Sequence, residues 1–223
     1  MKKLLLSALF IFALASNSFA GFIYDAKTDF NTLNPNGVWS YGYSDNQTSS
    51  VLTSGFNAVS GFATGFAVNA DFTPGVWKVN QNLFGFNAGD FVVHPGRVGN
   101  VEQYGVIRFT APTAGVYDLA LNWVRKGTSA SPINVFAFRS TDPGSPFVNQ
   151  NYNQFQAGSF SQNGLNLALG ETIDLRVGGA GQSNGDGTVV GFTVTAVPEP
   201  SALACISGLV AGLSVLSRRR RQG

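Results

Sequence analysis

Tyr117-Asp118-Leu119-Ala120-Leu121-Asn122-Trp123 carries a large apolar side chain at every second position. In an extended chain this puts Tyr117, Leu119, Leu121 and Trp123 on one face. The same period of two recurs on either side. Ile107, Phe109 and Ala111 alternate with Arg108 and Thr110; Ile173, Leu175 and Val177 alternate with Thr172, Asp174 and Arg176. Val190, Phe192 and Val194 alternate with Gly191, Thr193 and Thr195. Each pattern predicts a strand with one buried face, and no stretch from Gly21 to Val197 sustains a 3.6-residue apolar period over a helical length.

Turn chemistry separates these runs. Pro112-Thr113-Ala114-Gly115 reads as a short hairpin connection, because Pro presets φ and Gly admits positive φ. Leu169-Gly170-Glu171 leads into another strand, Asp142-Pro143-Gly144 closes a third, and residues 179–187 form a glycine-rich loop before the last. Short strands with turns at this spacing predict an all-β fold, a two-sheet β-sandwich. In the first half, Gly37 to Tyr43 and Gly75 to Val79 read as strands. Between them the triplets Ser54-Gly55-Phe56, Ser60-Gly61-Phe62 and Thr64-Gly65-Phe66 are too closely and irregularly spaced for a solenoid; they read as strands and loops over a Phe-rich core.

The two ends carry different signals. Lys2 and Lys3 precede an apolar run from Leu4 to Ala15, and Ser18 and Ala20 supply the small residues of a cleavage site before Gly21. Residues 1–20 therefore read as a secretory signal peptide. At the other end Val197-Pro198-Glu199-Pro200 is followed by an uncharged stretch, 201–217, and then Arg218, Arg219, Arg220 and Arg221. At 1.5 Å per residue that stretch reaches about 25 Å, enough for one membrane helix with snorkelling arginines. The arginines stay cytoplasmic by the positive-inside rule, which places residues 21–197 outside. Gly208, Gly212 and Cys205 fall in this stretch and read as incidental small residues.

The order Pro-Glu-Pro, short helix, arginine cluster resembles the PEP-CTERM sorting signal of Gram-negative bacteria. Pro198, Glu199 and Pro200 match the defining motif, and Arg218 to Arg221 match its basic end. The resemblance covers residues 198–223. It implies recognition by an exosortase, a membrane protease-transpeptidase, transient insertion of residues 201–217 in the inner membrane, and delivery to the cell surface or extracellular polymer. A looser likeness lies within the domain. Arg108-Phe109-Thr110-Ala111-Pro112, Ala114-Gly115-Val116-Tyr117, Leu169-Gly170-Glu171-Thr172-Ile173 and Gly191-Phe192-Thr193-Val194 are similar to the jelly-roll, galactose-binding-like domains of secreted PEP-CTERM proteins. That likeness implies a fold and no ligand.

Residues 21–197 are long enough for one domain with a sizeable core. They hold eight Lys and Arg against eleven Asp and Glu, so the basic balance of the whole chain belongs to its ends. A mildly acidic domain without a basic stripe offers nothing to nucleic acid. The chain's one cysteine, Cys205, lies in the tail, so the domain has no disulfide.

Chemistry is sparse. His94 is the only histidine; no G-x-S-x-G elbow exists to present a serine, and zinc would need more His or Cys ligands. His94-Pro95-Gly96 reads as a turn. Residues 178–183 lack the aspartate of the calcium-binding G-G-x-G-x-D repeat, which leaves Asp174 or Asp186 as loop ligands for calcium. No cofactor is expected. Trp39, Tyr41 and Tyr43 alternate and are the candidates for stacking on a glycan, with Trp77 and Trp123 further rings. Asn46-Gln47-Thr48 fits a glycosylation sequon, which carries little weight in a bacterial host. The expectation is a non-enzymatic, exported structural or polysaccharide-associated protein. The alternative is a carbohydrate-active enzyme of the same fold, a glycoside hydrolase or lyase built on two of the eleven carboxylates.

Overall fold

A computed structural model describes residues 21–45, 47, 53, 57–69, 71–98, 101–127, 131–180 and 186–198. The signal segment, Glu199, Pro200, residues 201–217, Arg218 to Arg221, Asn46, Thr48 and the triplet 54–56 lie outside the described residues. Among the described residues no helix is long and apolar enough to cross a membrane.

The described elements are β1 (Ile23–Asp25), α1 (Ala26–Asp29), β2 (Trp39–Ser44), β3 (Asn57–Val59), β4 (Ala63–Ala67), β5 (Gly75–Val79), β6 (Phe91–His94), β7 (Gly96–Val98), β8 (Val101–Thr110), β9 (Gly115–Arg125), β10 (Ile133–Arg139), β11 (Val148–Tyr152), β12 (Ala157–Leu167), β13 (Thr172–Gly178) and β14 (Thr188–Val197). Sheet 1 has the order β12-β9-β14-β6-β5-β4-β3, with β1 also paired to β14. Sheet 2 has the order β11-β10-β13-β8-β2, with β7 paired to β8. Ile23–Thr195 forms one compact unit, and the two sheets make the expected β-sandwich.

The alternation read from the sequence decides what lies between the sheets. Tyr117, Leu119, Leu121 and Trp123 of β9 are each at most 2% exposed, while Ala120 and Asn122 between them face solvent. From sheet 2, Trp39 meets Phe192 of sheet 1 edge-on at 5.0 Å, and Tyr41 stacks on Phe66 at 5.8 Å. Phe109 meets Tyr117 at 5.9 Å. Aromatic rings each remove some 150–250 Å² from water, so these contacts dominate the core.

Two local readings need correction. Residues 112–114 are not a hairpin, because β8 belongs to sheet 2 and β9 to sheet 1. Alternation tells which face of a strand is buried, not which strand lies beside it. The crossing is fixed by Ala111, whose N–H donates to Glu171 O and whose carbonyl accepts from Gly170 N–H, both at 2.9 Å. Tyr117 Oη donates to Thr113 O at 2.8 Å and pins the corner. His94 is likewise no turn residue: it is the last residue of β6, opposite Gly75, and is 6% exposed. By contrast, Asp142-Pro143-Gly144 does lie in a hairpin, between the paired strands β10 and β11.

Candidate functional site

Sheet 1 has a second apolar layer on its outer face. Gly65, Trp77 and Val92 are in register across β4, β5 and β6, as are Phe66, Val76 and Val93. Phe66 points to Tyr41 and the core, so Trp77 and Val92 point outward. There they form a small cluster with Ala63, Val79 and Phe86, against which Phe62, Phe72 and Val189 pack. Gly65 lets Trp77 lie flat: a Cβ at that position would sit 2.4 Å from Val76 O and 2.5 Å from Trp77 Cα.

Three loops bring rings over this layer and enclose a pocket of about 260 Å³ lined by Phe62, Asp71, Phe72, Trp77, Phe84, Phe86, His94 and Gly127. Phe62 is held by Asn80, whose N–H donates to Phe62 O at 2.8 Å and whose Nδ2 donates to Gly61 O at 3.0 Å. Asn69 Oδ1 accepts from Asp71 N–H (3.0 Å) and Thr73 N–H (3.3 Å), so the loop carrying Asp71 and Phe72 folds around one side chain. Trp77 Nε1 donates to Phe72 O at 3.1 Å and closes that loop onto the sheet.

Phe84 sits on a two-residue hairpin, with Leu83 and Phe86 exchanging both backbone bonds and with φ of 54° at Phe84 and 84° at Gly85. This is the backbone of a type I′ turn, which needs positive φ at both central residues and favours Asn-Gly there. A phenylalanine in the left-handed region is costly, and such outliers gather at ligand sites. Phe72 shares the anomaly with φ 62°. Among the described residues three phenylalanines have positive φ; Phe72 and Phe84 line this pocket, whereas the third, Phe155 (φ 63°), does not, and Phe84 is 57% exposed. Phe62 meets Phe72 at 4.6 Å and Phe84 at 5.7 Å.

The floor is polar but uncharged. His94 stacks near Trp77 with centroids 6.4 Å apart, and its Nδ1–H donates to Pro95 O. Burial pushes its pKa down to about 4, helped by the Arg125 charge and opposed by the Pro95 bond. The imidazole is therefore neutral at ordinary pH. The wall at Gly127 is set from below. Arg125 donates to Gly127 O and, through Nη2, to Asp186 Oδ1 at 2.7 Å, while Gln154 Nε2 also donates to Gly127 O at 2.9 Å. The result is an aromatic cleft with one carboxylate, Asp71, among its lining groups.

Of the residues singled out from sequence, Trp77 and His94 line this pocket and the others lie elsewhere. Trp39 and Tyr41 are 1% and 0% exposed, so neither offers a ring face to a glycan. Their alternation is that of a core-facing strand, which corrects the stacking platform read onto Trp39, Tyr41 and Tyr43; Tyr43 itself is half-buried. Trp39 does floor a shallow polar pocket of about 380 Å³ with Tyr24, Asp29, Asn31, Asn36, Gly37 and Val38, but its Nε1 is committed to Asp29 Oδ2 at 2.9 Å. Trp123 is core. Trp77 is 2% exposed and acts as a support beneath the pocket rings.

The calcium reading of Asp174 and Asp186 is also corrected. Asp174 accepts from Arg108 Nε and from Arg176 Nη2, each at 2.7 Å, and Asp186 is bound by Arg125. Arginine occupies the role a cation would take. Among the described residues no group of three or more His, Cys, Asp or Glu is placed to hold a metal. The pocket phenylalanines escaped sequence reading, although Phe84-Gly85 stands where a type I′ turn expects Asn-Gly.

No protein-family model matches the chain, and no curated protein matches it. Among solved structures the chain is similar to a family 35 carbohydrate-binding module from Clostridium thermocellum, at 15% identity and TM-score 0.29, over 51% of this chain and 84% of that one. It is similar to a family 29 carbohydrate-binding module at 10% identity and TM-score 0.30, over 74% and 92%. A third similarity is to the K3 cleaved adhesin domain of Lys-gingipain from Porphyromonas gingivalis, at 9% identity and TM-score 0.33, over 52% and 79%.

Proposed function

We propose that this is an exported, non-catalytic protein of the cell surface or extracellular polymer, whose β-sandwich binds polysaccharide at the phenylalanine-lined pocket on sheet 1. The observation that carries the reading is the pair Phe72 and Phe84, both in the left-handed backbone region and both lining one pocket. Aromatic faces pack on the C–H faces of sugar rings, and Asp71 adds an acceptor for hydroxyl groups. Export and sorting rest on the signal segment and on Pro198, Glu199, Pro200 and the arginine cluster, which support processing by an exosortase-like enzyme.

Residues 21–197 retained on a bacterial or plant polysaccharide without release of reducing sugar, and released from it by Phe84→Ala in a folded protein, would support the binding reading. Release of sugar would overturn its non-catalytic part. For sorting, Pro198 and Glu199 are replaced together in the full chain in its host; unchanged size and location would sink the processing step.

A further inference from the structure

One flank of the sandwich differs chemically from the rest. From Phe147 to Gly170 the chain runs 24 residues without a charged side chain, a histidine or a proline. That stretch contains β11 and β12, the terminal strands of sheet 2 and sheet 1. Phe147 stacks on Phe160 at 5.5 Å, so the two edges lie side by side.

Exposed edges invite pairing with another chain, and proteins block them with charge, proline, bulges, short strands or a cover. The other edges here are blocked. At β2, Asn34 mimics a strand residue: its Oδ1 accepts from Tyr41 N–H at 2.9 Å and its Nδ2 donates to Tyr41 O at 2.7 Å. Thr53 exchanges both backbone bonds with Tyr43 on the same strand. The edge strand β3 is three residues long. β12 is broken by a register shift between Gln162 and Leu165, where Gly164 has φ 70°. Among the described residues β11 has no charge, proline, register shift or covering segment. It pairs with β10 without a shift, and Asn149, Gln150 and Asn151 are all exposed.

We infer that β11 is an association edge and that its partner is β11 of a second copy of this chain, paired antiparallel about a two-fold axis. Primary amides both donate and accept, so an Asn/Gln strand is complementary to itself, and no like charges oppose the meeting. The amides are oriented in advance. Asn134 Nδ2 donates to Asn149 Oδ1 (3.3 Å) and Asn151 Oδ1 (3.0 Å), and Tyr152 Oη donates to Gln150 Oε1 at 2.6 Å. Each side-chain oxygen is held from within by one bond and keeps its second lone pair, so both the amide N–H groups and the oxygens can meet a partner. With the axis at the strand centre, Gln150 meets its own counterpart and Asn149 meets the counterpart of Asn151. A pair of five-residue strands buries little area, so the association is weak and concentration-dependent.

Sedimentation velocity on the purified full chain over a wide concentration range tests this. Wild type should show a reversible dimer, and Gln150→Lys and Gln150→Glu should each weaken it at least tenfold. An equimolar mixture of the two variants should restore it, because the charges then face each other. Gln150→Cys with Cys205→Ser should form a disulfide-linked dimer faster than the exposed control Ser161→Cys. A wild-type monomer at every concentration, a dimer indifferent to both charge variants, or a control that cross-links as fast as Gln150→Cys would each overturn the proposal.

Discussion

Arg125 and Asp186 meet with Nη2 2.7 Å from Oδ1 and with both side chains wholly withdrawn from solvent. The pair ties the end of β9 to the chain just ahead of β14 and, through the bond from Arg125 to Gly127 O, shapes one wall of the aromatic pocket. Removing one partner leaves the other charge buried. Asp186→Ala is expected to cost about 3–5 kcal/mol of stability, read as a shift in the urea unfolding midpoint. A loss below 1 kcal/mol would mean that water or another group takes over the arginine.

Phe84 holds a conformation better suited to asparagine or glycine. Phe84→Asn should leave the fold unchanged or more stable by about 1 kcal/mol while weakening polysaccharide retention. Opposite signs for stability and retention are the signature of strain kept for a ligand. Paired losses in both would show that the ring is structural.

Trp39 should behave the other way. Trp39→Ala removes a core ring and the donor to Asp29 Oδ2, and large-to-small changes of this kind cost about 3–5 kcal/mol. Retention per folded molecule should not change. A selective loss of retention at full stability would restore the platform read from the sequence.

Two glycines on the same sheet give contrasting expectations. A Cβ at Gly65 meets backbone at 2.4 Å, which has nowhere to go, so Gly65→Ala should destabilise by about 1–3 kcal/mol or more. The three atoms nearest a Cβ at Gly191 all belong to the Asn122 side chain, which is exposed and can swing aside. Gly191→Ala should stay within about 0.5 kcal/mol of wild type. Thermal or urea unfolding of the two variants side by side checks the ranking.

His94 gives the fold a pH dependence. Burial lowers its pKa from 6.5 to about 4, so the unfolded chain binds the proton first as pH falls. The stability it contributes is complete above 6.5 and is lost progressively toward 4. Between pH 7 and pH 5 the loss should be about 2 kcal/mol, and His94→Gln should flatten that part of the curve. Asp25 and Glu171, whose pKa values are lowered from 3.8 and 4.5, lose their contributions at lower pH, which separates the two effects. An unchanged slope in the variant would remove His94 from the account.

The strands with clean alternation were legible because a two-sheet core rewards a period of two: β9 and β14 bury the face the pattern names. β13 buries Ile173, Leu175 and Val177 but also the ion-paired Asp174 and Arg176 of its expected solvent face. Gly75–Val79 was legible even without strict alternation, since Trp77 on the outer face is covered almost as fully as Val76 on the inner one. That same double burial hid the site. A strand buried on both sides gives no hint that one cover is the other sheet and the other a set of loops. The turn at Pro112 was misread because its residues suit a corner as well as a hairpin. Phe84 and Phe72 were hidden because their meaning lies in a backbone angle that phenylalanine seldom adopts.

β14, the final strand of the sandwich, runs between β9 and β6, and its residues Thr193, Val194 and Thr195 also pair with Asp25, Tyr24 and Ile23 of β1. A tension applied at its C-terminal end would act lengthwise on a strand gripped from both sides. The flanking hydrogen bonds would then be loaded in parallel and would resist as a group, whereas an edge strand peels one bond at a time. Under such a load the unfolding rate would be the property that counts.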